Sequence, residues 1–353
     1  MTATAPSSKS ACLPFAAKLT ALFCLLTLSL VANPVAQQED QALATARSLI
    51  QENKNQEAII QLKALAASHP GTKGISHELG IAYYNQADYF EAATYLEEAL
   101  HENPEDRDAA QLLGLSYYFS GKPAQAIPAL EKVRLWHPDE NIDAIYILGL
   151  CYVLKRNYPE ALETFAHLYR LEPDSAASHL MLGRILLRQG FDPVAEQEVR
   201  KALAVSPHLP LAHFTLGEFY AYNADYPKAA QEFQEELDVN PGYAPALNHL
   251  GDAYWRLKRN EDAERVLQGS IWLDATSGEP YVILGKVLMA KKQFPQAERT
   301  LQRAIAVDSG NYTAHYLLGQ LYRELGKTTA AERELKIAAH MQQLQAQNAP
   351  RIR

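Results

Sequence analysis

Apolar stripes at helical spacing alternate with polar faces along this chain, and they return with a fixed beat. In HLGDAYWRLKRNEDAERVL, His249 to Leu267, the residues Leu250, Ala253, Tyr254 and Leu257 recur three or four apart, as on one face of an α-helix. Gly251 sits inside that stripe, where glycine costs about 1 kcal/mol relative to alanine. The same glycine returns at Gly80, Gly114, Gly149, Gly183, Gly217, Gly285 and Gly319, in steps of 34 with one of 35, and Ala46 holds its place one period earlier. Twelve residues after each comes an alanine, from Ala58 and Ala92 through Ala263 to Ala331. Leucine usually precedes the glycine, and Tyr or Leu follows three residues on.

Each period reads as two helices. The first carries the Leu-Gly-x-x-Tyr stripe and ends at a short break such as Ser120 to Lys122 or Arg188 to Gly190. The second often opens on a proline, as at Pro159, Pro193, Pro227 and Pro295, where the missing N–H costs nothing. A proline closes the first six periods, at Pro70, Pro104, Pro138, Pro173, Pro207 and Pro241. No run alternates β-branched and polar residues, so no sheet is expected. The glycine then has a reason: two helices approach closely where a side chain is missing, and Gly251 is expected to face Ala263 there.

These residues, clearest in HELGIAYYNQADYFEAATYLEEALHENP with Leu79, Gly80, Tyr83, Ala92, Leu96, Ala99 and Pro104, resemble the tetratricopeptide repeat family over nearly the whole chain. The resemblance implies an all-α, right-handed superhelical solenoid of about nine antiparallel helix pairs over 39–345, followed by a polar tail, 346–353. Glu236 departs from the pattern, standing where other periods have Ala99 and Ala304. The last three periods lack the closing proline and the first is degenerate, with Ala46 and Leu49 where glycine and tyrosine are expected. Terminal repeats are often atypical because they cap the stack.

In this family the first helices line a concave groove that takes a protein or peptide partner. Its places fall three residues before the glycine and one, four and five after it. Read off in order, they give Tyr84, Tyr118, Phe119, Tyr146, Phe214 and Tyr222 in an apolar first half. Trp255 and Arg256 then stand among polar residues such as Asn248, Asp252 and Lys286. Arg184 and Arg188, four apart on one helix, are placed to bracket a carboxylate. Simpler readings stand beside these: Tyr118, Tyr146 and Phe214 as packing between repeats, and the arginines as a solvated face or a bridge to Glu218. A specialised class clamps a peptide C-terminus with Lys and Asn in its first repeats. Leu43, Arg47 and His77 hold those places here, so that reading has little support.

Composition narrows the partner. With a net charge of −8, the 353 residues offer no basic field for a phosphate backbone, so no nucleic acid partner is expected. Residues 1–36 contain no acid, carry Lys9 and Lys18, and include the apolar run LTALFCLLTLSLVA. This resembles a signal peptide, cleaved near Ala32 to Ala36 or kept as an N-terminal anchor, and implies a periplasmic or extracellular location with membrane contact only through that segment. Cys12 and Cys24 lie in it, leaving Cys151 without an internal disulfide partner and reading as a small buried hydrophobe.

No GxxxxGK[ST], HExxH or GxSxG motif and no paired metal-binding cysteines occur, and only eight residues follow the last repeat. His179 and His213 occupy equivalent places, yet no third ligand is in phase, so neither metal nor cofactor is expected. The expectation is a non-enzymatic scaffold for a protein or peptide. The alternative is an accessory factor that stacks its aromatic stripe on a glycan or lipid-linked polymer in envelope or secretion assembly.

Overall fold

The computed structural model describes residues 34–136, 140–190 and 192–348. The expected leader except its last three residues, Pro138, and the tail beyond 348 lie outside them. Every described regular element is an α-helix, eighteen in all, and these fall into two compact units. Residues 34–157 hold α1 (Pro34–Gln51), α2 (Asn55–Ser68), α3 (Ile75–Asn85), α4 (Tyr89–Glu102), α5 (Arg107–Phe119), α6 (Pro123–Trp136) and α7 (Ile142–Leu154). Residues 158–348 hold α8 (Tyr158–Leu168), α9 (Ala176–Arg188), α10 (Asp192–Val205), α11 (Ala212–Tyr222), α12 (Tyr226–Val239), α13 (Ala244–Arg256), α14 (Asn260–Leu273), α15 (Glu279–Ala290), α16 (Phe294–Val307), α17 (Tyr312–Glu324) and α18 (Thr328–Asn348). Among the described residues no helix is long and apolar enough to cross a membrane.

Short backbone devices set these boundaries. Asp106, Ser175 and Asn311 cap the helices that follow them, each accepting the backbone N–H three residues on at 2.9–3.2 Å. The turn inside every pair is the same turn. Seven residues after each repeat glycine, or Ala46, the backbone is left-handed: Asn53, Ala87, Gly121, Arg156, Gly190, Ala224, Lys258, Lys292 and Gly326 have φ between 58° and 76°. In the full helix pairs the next N–H reaches back to the carbonyl five residues earlier, Asp88 to Tyr83 at 3.0 Å and Arg259 to Tyr254 at 2.9 Å. Only three of the nine left-handed places are glycine, so the chain holds strained non-glycine residues at the others.

A turn of this length sends the second helix back along the first. Within each unit the second helix also packs on the first helix of the next pair, and successive first helices adjoin: α1, α3, α5 and α7 in one, α9, α11, α13, α15 and α17 in the other. This is the stacked, solenoid arrangement of helix pairs. The interlock differs in detail from the expectation. A Cβ on Gly251 would lie 2.5 Å from Leu267, sixteen residues on, rather than against Ala263, which is itself fully buried. The same offset joins Gly80 to Leu96, Gly114 to Leu130, Gly183 to Val199, Gly217 to Phe233, Gly285 to Leu301 and Gly319 to Leu335, always at 2.4–2.7 Å. The glycine is a socket for the large residue of its partner helix.

A second tie recurs. His179, His213 and His315 hold equivalent places, and their Nδ1 atoms lie 2.7, 2.7 and 2.6 Å from Glu198, Glu232 and Glu334 on the second helix of the same pair. These histidines are structural pins. Among the described residues no three His, Cys, Asp or Glu side chains are grouped to hold a metal ion. The hydrogen bond that His213 donates to Glu232 is the main cause raising its imidazole above the usual value of 6.5, against the opposing effect of burial.

Two predictions follow from these ties. Gly251→Ala gains helix propensity yet must displace Leu267, so it is expected to lower stability by about 1–2 kcal/mol in urea unfolding, whereas Gly242→Ala, with open space around it, stays within about 0.5 kcal/mol. Equal midpoints for the two would remove the socket. Because folding raises the His213 value, the stabilisation from that pin is complete below about pH 6.5 and fades as the pH climbs through the folded-state value. The gap in urea midpoint between the native chain and His213→Gln should therefore shrink from pH 6 to pH 9, and a constant gap would assign the pin no charge.

Candidate functional site

The first helices bring the sequence-derived residues to their exposed faces separately in each unit. In residues 34–157, Tyr84 ends α3 and Tyr118 and Phe119 end α5. They meet through Tyr89, the first residue of α4: Tyr84 to Tyr89 is 5.6 Å between ring centroids, Tyr89 to Phe119 is 5.0 Å, and Phe119 to Tyr118 is 5.3 Å. Phe119 is 48% exposed, while Tyr84, Tyr118 and Tyr146 of α7 are half-buried. Burial is the main cause raising the Tyr118 phenol, with smaller contributions from Cys151 and Tyr146. Cys151 is buried, and burial pushes its thiol up to about 12, which makes it a core residue rather than a nucleophile. Arg47 is held by Glu78 at 2.5 Å and His77 by Asp106 at 2.7 Å, so the places of a C-terminal clamp carry internal pairs.

In residues 158–348, Arg184 and Arg188 of α9 and Phe214 and Tyr222 of α11 line one cavity of about 620 Å³. Phe214 is only 7% exposed, packed edge-on against Tyr243 and His249 at 5.1 and 5.3 Å, so it forms a wall more than a free ring. Tyr222, 79% exposed, stands at the rim. His249 of α13 lines this cavity and also a second one, of about 500 Å³, with Asn248, Asp252, Arg256 and Lys286. Arg256 is held there by Asp252 at 3.2 Å and by the Tyr226 hydroxyl. Trp255 carries the Lys286 ammonium 4.9 Å from its ring centroid. Asn248 is 5% exposed, and among the described residues its Oδ1 has no hydrogen-bond donor. A buried acceptor without a donor costs about 1–3 kcal/mol.

Residue-type patterns alone overlooked three members of this site. Glu218 falls one after Gly217, a groove place, but drew attention only as a partner for arginine. His249 lies two before Gly251, outside the four places used. Glu236 is the most instructive. Fully buried on α12, it accepts the N–H groups of Leu211 at 2.9 Å and Phe214 at 3.2 Å. Leu211 precedes α11 with φ 70°, a left-handed conformation unfavourable for leucine. Gly74 holds the equivalent place before α3 at φ 87°, and its N–H is accepted by Glu102 at 3.0 Å. Glu236 thus departs from the repeat pattern to cap the helix that carries Phe214 and Glu218.

A stack of helix pairs with one exposed run of first helices defines a helical-repeat protein. Tetratricopeptide repeat models match residues 43–107, 214–280 and 284–348, and a second such model matches 83–151 and 117–185. The first covers more than half of the chain, which therefore belongs to the tetratricopeptide repeat family. The chain is 28% identical over 159 residues to BBSome complex member BBS4 of Bos taurus, a match of 45% of this chain and 30% of that protein, so it spans under a third of its curated relative. Similar solved structures include the APC/C hetero-tetramer Cut9–Hcn1, at 18% identity over 86% of this chain and 59% of that one with a TM-score of 0.43. PilF of Pseudomonas aeruginosa is 20% identical over 59% and 97%, with a TM-score of 0.46.

Replacing Glu236 by alanine leaves the Leu211 and Phe214 N–H groups buried without an acceptor, and a loss of about 2 kcal/mol is expected. Amide exchange at Phe214 should quicken with it. Unchanged exchange at that amide would mean that the cap is dispensable.

Proposed function

We propose that the protein is a non-enzymatic scaffold that holds an extended segment of a partner protein against the first helices α9 to α17. The observation that carries this reading is the pair of adjoining cavities that share His249 along successive first helices, the second lined by Asn248, Asp252, Arg256 and Lys286. An extended chain advances about 3.3 Å per residue and brings a backbone N–H and C=O with every residue, which the polar groups of the second cavity can meet. Tetratricopeptide repeat proteins bind protein or peptide partners, and the partial likeness to a member of a multi-protein complex agrees with such a role. The acidic net charge disfavours nucleic acid. We further propose that residues 1–36 direct export to the periplasm or cell exterior, either cleaved or kept as the membrane anchor.

The linked rings of Tyr84, Tyr89, Phe119 and Tyr118 favour a second reading, stacking on a glycan or lipid-linked polymer during envelope or secretion assembly. A photo-crosslinking amino acid placed at Tyr222, and separately at Trp272, an 84% exposed residue on the second helix α14, separates the two. The scaffold reading expects a defined protein adduct from Tyr222 but not from Trp272. Glycan binding lost on Phe119→Ala, with no protein adduct at Tyr222, would replace it by the second reading.

A further inference from the structure

The 620 Å³ cavity carries a charge that its own residues do not use. Arg184 and Arg188 stand one turn apart on α9 and both line it. On the neighbouring helices salt bridges join Arg200 to Glu196, Lys201 to Glu198 and His213 to Glu232. Among the described residues neither Arg184 nor Arg188 has a carboxylate at contact distance. Glu218 faces both across the cavity from α11, yet its carboxyl is held above the usual carboxylate value, because burial outweighs the favourable fields of His249, Arg184 and Arg188. A carboxylate clasped by two guanidiniums would move the other way. The groups that face Glu218 are Arg184 and Arg188 from α9, Tyr222 on its own helix, and His249 and Tyr243 from α13 and the turn before it.

Apolar surface lies beside this charge. Leu187, Phe214 and Ala221 wall the cavity, and Tyr222 rims it. We propose that the cavity seats an acidic residue of the partner protein together with an apolar side chain near it in sequence. Arg184 and Arg188 hold the ligand carboxylate, Leu187, Phe214 and Tyr222 cover the apolar side chain, and Glu218 competes for the same two guanidiniums. This deepens the peptide-binding reading above and rests on it. Charge complementarity selects the occupant: two guanidiniums against one internal carboxylate leave a positive excess in a chain that is acidic as a whole.

Random twelve-residue peptides displayed on phage, selected on the immobilised full chain and then measured singly by fluorescence anisotropy, test this. The selected peptides should pair Asp or Glu with Phe, Tyr, Leu or Ile. Arg184→Gln with Arg188→Gln should weaken them at least ~10-fold with the thermal midpoint unchanged. If that double variant does not fold, Arg188→Gln alone, at the exposed position, should weaken them several-fold. Glu218→Gln should tighten them and abolish the gain in affinity expected of the native chain as the pH falls toward the carboxylate range, because burial makes Glu218 lose its charge ahead of the ligand carboxylate. Selected peptides without acidic residues, acidic peptides held equally well by the arginine variants, or an affinity indifferent to Glu218→Gln would overturn the proposal while leaving peptide binding in place. Selection of no peptide at all, with no protein adduct at Tyr222, would overturn the peptide-binding reading as well.

Discussion

Everything in these helix pairs depends on one missing atom per pair. At seven repeat glycines an added Cβ would fall 2.4–2.7 Å from a large side chain sixteen residues on, well inside van der Waals contact. Among those side chains Leu96, Leu130, Phe233, Leu267 and Leu301 are almost completely buried, at 0–1% exposure, while Leu335 in the last pair is partly exposed. Burying a leucine or phenylalanine is worth about 1.5–3 kcal/mol, against the ~1 kcal/mol that glycine costs in a helix. The burial wins, and it wins only if the helices stay close enough for the socket to be filled. The 34-residue beat is therefore a packing constraint, and the left-handed turn seven residues after each glycine brings the second helix back over it.

That constraint explains what the sequence made legible. A contact repeated at fixed spacing multiplies its own signal, so the helices, the pairing and the placing of Arg184, Arg188, Phe214 and Tyr222 at one site could all be read from phase. What escaped was the true partner of the recurring glycine and whatever occurs once. Ala263 looked like the partner of Gly251 because both are small, yet close packing joins small to large, and Leu267 fills the space. Glu236 looked like a lapse in the pattern because its function depends on the left-handed Leu211 of the neighbouring helix, a conformation that no leucine announces. Tyr89 opens a second helix and reaches the aromatic run from outside the groove places altogether.

Folding and recognition thus occupy different positions of the same helices. The residues that recur point into the partner helix, and the residues that vary point into the cavities, so a substitution at Tyr222 or Arg188 meets no socket. Phe214 and Asn248 sit on the border, both buried and both lining a cavity. The capping of α11 by Glu236 extends this coupling, since the carboxylate that completes the helix start also fixes the backbone N–H of Phe214.

Four arginines of residues 158–348 pair with acids close to them in sequence. Arg200 lies on Glu196 at 2.9 Å, Arg256 on Asp252 at 3.2 Å, and Arg259 and Arg265 share Asp262 at 2.7 and 2.9 Å, each within one helical turn or its cap. Such pairs are easily reached in this sequence and cost little. Arg184 and Arg188, like Arg299 and Arg303 of α16, place like charges one turn apart, a mildly unfavourable arrangement on a helix, and here both line a cavity with Glu218 across it as the facing acid. Departures from local consistency are expected at functional or strained sites. On the proposed reading, an acidic side chain of a bound segment brings negative charge to a space walled by Phe214 and Leu187 without adding a second buried acid to the fold.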